Sequence, residues 1–226
     1  MKLSELFEEA LNEFNVWDSL ESILSETNQL TEGISSRLSL FLSEADKVIF
    51  DKFGIEHSSK DYFIAGSARL YLYPELVVAM RERDPSFPVN VGDLDIVIPN
   101  KALWFNAGLE DAYNKGGIYR PYALTPPLTT FNIEAFTVWD PSKAGGAYAN
   151  VNVRDEAKIM ADSTLLNGYR FMSLRDVFHY KYQMGRDKER AIGELINSHG
   201  KGNTPEETTT LINGVADIIT SKYDNN

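Results

Sequence analysis

The chain has 226 residues, with 22 Lys and Arg against 33 Asp and Glu and a formal net charge of −11. That balance argues against a protein whose main work is coating nucleic acid, since Lys and Arg on phosphates supply most non-specific affinity. The absence of Cys removes disulfide scaffolds, cysteine-bound zinc and cysteine nucleophiles together.

With 43% hydrophobic and 12% aromatic residues, the chain can bury a core as one domain with extensions or as two small ones. The opening Met1-Lys2-Leu3-Ser4-Glu5-Leu6 lacks the pattern of a secretion signal. No stretch approaches the ~18 consecutive apolar residues of a membrane span. A cytoplasmic protein without a membrane partner is expected.

Taken in chain order, Leu3, Leu6, Phe7, Leu11, Phe14, Trp17, Leu20 and Ile23 recur at helical spacing. After Thr31-Glu32-Gly33 the pattern resumes from Ile34 to Phe53, with Leu38 and Phe41 on its apolar face, and stops at Gly54. Residues 1–56 are therefore expected to be a helical extension. Tyr62 to Ala65 is a short apolar run ending at Gly66-Ser67, the pattern of a buried strand entering a tight turn. A helix is expected over 68–83, broken by Asp84-Pro85-Ser86-Phe87-Pro88.

Leu94 to Ile98 reads as a second strand, 102–115 as a helix closed by Gly116-Gly117, and Thr130 to Trp139, which alternates, as a third strand. The stretch from Asp140 to Ala147 is expected to be a loop, and Thr164 to Phe171 a strand. Helices follow over 173–184 and 186–196, the first with Ser173 as N-cap and Asp176 three residues on. A linker at 200–203 leads to a last helix over 205–223. This alternation predicts an α+β (α/β-like) fold with a small mixed sheet flanked by helices. The expected domain lies over 57–199, between the N-terminal extension and a C-terminal linker and helix over 200–226.

The chemistry concentrates in three places: Gly66-Ser67, Asp93-Leu94-Asp95 and Glu134. Alternation on a strand puts Asp93 and Asp95 on one face, roughly 6–7 Å apart. Two carboxylates that close repel by roughly 2–3 kcal/mol at an effective dielectric near 20 unless a cation or proton compensates. Hard oxygen donors select Mg²⁺ or Mn²⁺, whose shell substrate phosphates can complete. A glycine at a strand-to-helix turn lets the backbone approach a phosphate. His57, His179 and His199 form no recognisable metal pattern, and neither Gly116-Gly117 nor Gly145-Gly146 has a dinucleotide-binding context.

Phe63-Ile64-Ala65-Gly66-Ser67, Gly92-Asp93-Leu94-Asp95-Ile96-Val97-Ile98 and Asn132-Ile133-Glu134-Ala135-Phe136 together resemble the nucleotidyltransferase superfamily that includes DNA polymerase β. A second stretch, Leu166 to Val177 followed by Lys181 and by Gly185-Arg186-Asp187-Lys188-Glu189-Arg190, is similar to the minimal nucleotidyltransferases and the AbiEii-type toxin branch. The resemblance spans about Tyr62 to Ile196. The 93 − 67 = 26 positions from Ser67 to Asp93 exceed the family's usual spacing, so an insertion lies between them.

The resemblance implies an Mg²⁺- or Mn²⁺-dependent transfer of a nucleoside monophosphate from a nucleoside triphosphate to a hydroxyl, with release of pyrophosphate. Asp93, Asp95 and Glu134 would be the catalytic and metal-binding residues, and Gly66, Ser67, Arg69 and Lys181 would bind the nucleotide. The acceptor could be a protein, a tRNA or a small molecule. Arg186, Lys188 and Arg190 are either a charged helix face or acceptor contacts. Two other readings stand beside it: a catalytically inactive binding or assembly module, antitoxin-like or structural, contacting a protein through the terminal helices, and a metal-dependent phosphohydrolase.

Overall fold

The computed structural model describes residues 14–122, 131–140, 142, 151–152 and 154–223, with side chains from residue 28 onward. Its strands are β1 (Phe63–Ala65), β2 (Leu94–Val97), β3 (Ile118–Tyr119), β4 (Ile133–Phe136), β5 (Thr164–Leu166) and β6 (Tyr169–Phe171). They form one mixed sheet in the order β3-β4-β2-β1-β6-β5. β1 runs antiparallel to β2 and parallel to β6, β2 parallel to β4, and the two edge strands antiparallel to their neighbours. The α+β class expected from the sequence is the class observed.

The helices are α1 (Phe14–Ala45), α2 (Pro74–Arg83), α3 (Lys101–Asn106), α4 (Glu110–Asn114), α5 (Glu156–Asp162), α6 (Leu174–Met184), α7 (Arg190–Ser198) and α8 (Pro205–Tyr223). α1 packs on α2, while α6 packs on α7 and α8. Ile34, Leu38, Phe41 and Ile49 of the first helical stretch are buried in the same core as Phe63, Ile64, Leu94 and Ile96 of the central strands. Among the described residues no helix is long and apolar enough to cross a membrane.

Several boundaries differ from the sequence expectation. Gly33 does not interrupt α1, whose helix runs through it and continues into a π-helical turn, Asp46–Phe50, and a last turn, Asp51–Phe53. One glycine costs a helix only about 1 kcal/mol, which the buried face of Ile34, Leu38 and Phe41 outweighs. The expected helix over 68–83 divides into a 3₁₀ segment, Gly66–Leu72, and α2, because Pro74 restricts Tyr73 to a non-helical conformation and starts a new helix.

The helix expected over 102–115 splits into α3 and α4 around Gly108, whose φ is +70°. The single strand expected over 164–171 is a hairpin. Asn167 and Gly168 take φ of +49° and +83°, the two positive angles that an Asn-Gly hairpin turn needs. Strand β3 and helix α5 were not anticipated, and the third expected strand shortens to β4. The segment 1–13, Thr130 and most of the loop at 140–147 lie outside the described residues.

Candidate functional site

β1 and β2 bring the two halves of the site together. Ala65 pairs with Asp95, which places Gly66, the next residue, beside the Asp95 carboxylate. Gly66 has φ of +71°, and a Cβ built there would lie 3.3 Å from Asp95 Oδ2 and 3.6 Å from Trp139 Cη2. Only glycine reaches this conformation at no steric cost, and it leaves the backbone open above a carboxylate.

On the other side of β2, Asp95 is in register with Glu134 of β4, so the two side chains leave the sheet on the same face. Asp93 lies two residues before Asp95 and shares that face. The intervening and following residues Leu94, Ile96 and Ile98 are fully buried, which fixes the register against a one-residue slip.

Asp95 ionises with difficulty. Burial of its carboxyl raises its pKa well above the usual value, the negative charges of Asp93 and Glu134 raise it further, and Lys181 and Lys188 only partly offset them. A cation would relieve this excess of negative charge.

Lys181 reaches the same place from α6. That helix starts at Ser173, whose Oγ accepts from the Asp176 N–H at 3.1 Å, as the capping pattern predicts. Buried Asp176 is also bound by Arg154, and the Arg154 N–H donates to Tyr180 Oη at 3.2 Å. These contacts fix α6 so that Val177, Lys181 and Met184, spaced four and three apart, face one cavity. Lys181 Nζ lies 3.3 Å from Glu189 Oε1, and Arg186 Nε donates to Glu189 Oε2 at 2.6 Å. Burial lowers the Lys181 pKa and Glu189 opposes that shift.

Two cavities of about 110 and 70 Å³ meet across Ser67, Asp93, Lys181 and Lys188. The smaller is lined by Gly66, Asp95, Trp139, Tyr180 and Arg186, and the larger by Leu70, Tyr71, Phe87, Asn90 and Ile192. The structure thus brings together Gly66, Ser67, Asp93, Asp95 and Lys181. Two predicted site residues stand apart from the cavities. Arg69 is 1% exposed, its guanidinium 4.7 Å from the Tyr73 ring centre, and it lines neither. Glu134 is adjacent to Asp95 but lines neither, and Arg120 holds its carboxylate through Nε and, at 3.4 Å, Nη2.

Among the described residues no group of three His, Asp or Glu side chains is gathered so as to hold a metal ion. Asp93 and Asp95 alone still suit Mg²⁺ or Mn²⁺, which commonly take one or two carboxylates and leave the remaining positions to water and phosphate.

Sequence reasoning missed Arg120 and Trp139 and undervalued Glu189. Trp139 follows β4 by three residues, and its indole N–H is buried with no partner in the structure. Nothing in the local sequence marks it, because it meets Gly66 only through the order of the strands. Glu189 is 2% exposed, and its burial beside Lys181 and Arg186 is the signal that a run of alternating charges conceals. Comparison with family models, with curated proteins and with solved structures finds no match for this chain.

Proposed function

We propose that the protein is a metal-dependent nucleotidyltransferase that moves a nucleoside monophosphate from a nucleoside triphosphate to a hydroxyl acceptor and releases pyrophosphate. The observation that carries this reading is the approach of Gly66 to Asp95: a side-chain-free turn sits 3.3 Å, at its would-be Cβ, from a carboxylate oxygen, with two lysines lining the adjoining space. That arrangement suits a polyphosphate bound between backbone, cation and ammonium groups. It fits a phosphohydrolase less well, since hydrolysis of a monoester requires no such extended anion site.

Asp93 and Asp95 would hold Mg²⁺ or Mn²⁺, which supplies charge neutralisation at the transferring phosphorus and activation of the attacking hydroxyl. The chain's own groups do the rest. The Gly66 backbone and the Ser67 hydroxyl position the phosphates, while Lys181 and Lys188 offset the negative charge that moves onto the leaving pyrophosphate. Glu134, once released from Arg120, would accept the proton of the attacking hydroxyl or orient its oxygen. Catalysis of this type rests on positioning and charge more than on covalent chemistry.

The test is calorimetric titration of ATP, GTP, CTP and UTP with and without Mg²⁺, on the wild type and on a double Asp93→Asn, Asp95→Asn variant. Metal-dependent binding that the variant loses supports the reading. Equal binding by both proteins overturns the carboxylate assignment. A second reading, a binding module without catalysis, draws on the engaged Glu134–Arg120 pair. Nucleotide binding with no release of pyrophosphate toward protein, tRNA or small-molecule hydroxyls would favour it.

A further inference from the structure

We infer that the segment between α2 and β2 builds a nucleobase subsite, in which the larger cavity receives the base of the nucleotide and Asn90 reads its edge. This rests on the nucleotide-binding reading above. The cavity floor is apolar: Leu70, Tyr71, Phe87 and Ile192 are each at most 3% exposed and all line it. Polar groups line it as well: Ser67, Asn90, Asp93, Lys181, Lys188 and Glu189. An apolar floor beside two lysines and Ser67 has the chemistry to take a base joined to a phosphate chain.

The wall is built rather than loose. Asp84, 1% exposed, accepts through Oδ1 from the Ser86 N–H at 3.0 Å and the Ser86 hydroxyl at 2.7 Å, and pairs with Arg190 at 2.9 Å. Arg81 Nη1 donates to the Phe87 carbonyl at 3.2 Å, and the Tyr71 hydroxyl donates to the Pro88 carbonyl at 3.1 Å. These contacts hold residues 84–88 from α2, α7 and the 3₁₀ segment at once, so the segment is preorganised for a ligand. They also give a purpose to the extra residues that separate Ser67 from Asp93.

The two cavities divide the reaction between them. Glu134 is in register with Asp95 on β4, and Asp95 and Trp139 line the smaller cavity, so the acceptor hydroxyl is assigned to the smaller cavity. The nucleoside is left the larger one. The Asn90 side-chain oxygen can accept from the N6 amino group of adenine while its NH2 donates to N7.

Two variants test this with tripolyphosphate and the four nucleoside triphosphates as probes, each with Mg²⁺. Asn90 is exposed, so Asn90→Ala leaves the fold intact. It is expected to weaken ATP by about tenfold while tripolyphosphate binds as before. A Cβ at Gly92 meets no atom within 4 Å, so Gly92→Val adds bulk to the cavity without backbone strain. It is expected to weaken all four nucleotides and spare tripolyphosphate. Should both variants bind the nucleotides in the wild-type order and strength, the subsite is overturned while the nucleotide-binding reading survives. Failure of the wild type to bind tripolyphosphate and every nucleotide overturns both.

Discussion

Arg120 and Glu134 face each other across the β3–β4 edge. The antiparallel register pairs Ile118 with Phe136 and Tyr119 with Ala135, and one further step sets Arg120 opposite Glu134. The Arg120 side chain is half exposed and that of Glu134 is 16% exposed, so solvent screens the pair in part. Hydrogen bonding to Glu134 raises the Arg120 pKa, and the guanidinium occupies the carboxylate that would serve as a third metal ligand. Arg120→Gln is therefore expected to tighten divalent-cation binding by about tenfold, equivalent to ~1.4 kcal/mol. Titration with Mn²⁺, followed by its paramagnetic resonance signal, measures this. An Arg120→Gln, Glu134→Gln double variant should return to the wild-type affinity, and an unchanged affinity in the single variant would rule out the competition.

Asp95 makes stability depend on pH. Its folded pKa lies above its unfolded one, because of burial and then of Asp93 and Glu134. Below the unfolded value, near 4, both states carry the proton and there is no penalty. As pH rises through the folded pKa, the native state must give up a proton it holds more tightly than the unfolded chain does, and stability falls. Asp95→Asn removes this penalty. In metal-free buffer it is expected to raise Tm at pH 8, with the gain disappearing as pH approaches 4. For a chain of this size each kcal/mol corresponds to ~2–4 °C. Thermal scans of both proteins across that pH range check it, and a gain that stays constant with pH would show that Asp95 titrates normally.

The central strands were legible in the sequence because their residues obey one local rule. Phe63 to Ala65 is an apolar run ending at Gly66, Leu94 to Ile98 is apolar but for Asp95 and ends at Pro99, and every apolar residue in them is buried. The carboxylates were legible for the same reason, since alternation alone sets Asp93 and Asp95 on one face. What was illegible depends on partners distant in sequence. β3 is two residues long and carries no pattern of its own, yet it delivers Arg120 to Glu134. Leu38 and Phe41 showed an amphipathic face but not what covers it. At 4% and 0% exposure these two side chains are covered by this chain's own core.

Gly66→Ala tests the turn itself. An alanine at φ of +71° pays the left-handed penalty of roughly 1–2 kcal/mol, and its methyl would press on Asp95 Oδ2 at 3.3 Å. A fall in Tm of several degrees is expected, together with loss of Mg²⁺-dependent nucleotide binding. Retention of wild-type binding would separate the turn from the phosphate site.

Lys181 and Glu189 separate stability from binding. Glu189 is held by both Lys181 and Arg186, so Glu189→Ala leaves two cations facing each other in a buried place. Breaking such a pair from one side costs about 3–5 kcal/mol. Lys181→Met is different, because Arg186 still partners Glu189, and the methionine stem refills the space lined by Val177 and Met184. It should leave Tm within a few degrees of wild type while nucleotide affinity falls by at least about tenfold, the loss of one charge-assisted bond to phosphate. Calorimetry and thermal scans on the two variants give the comparison. If Lys181→Met lowers Tm as far as Glu189→Ala and leaves nucleotide affinity intact, Lys181 serves the fold alone.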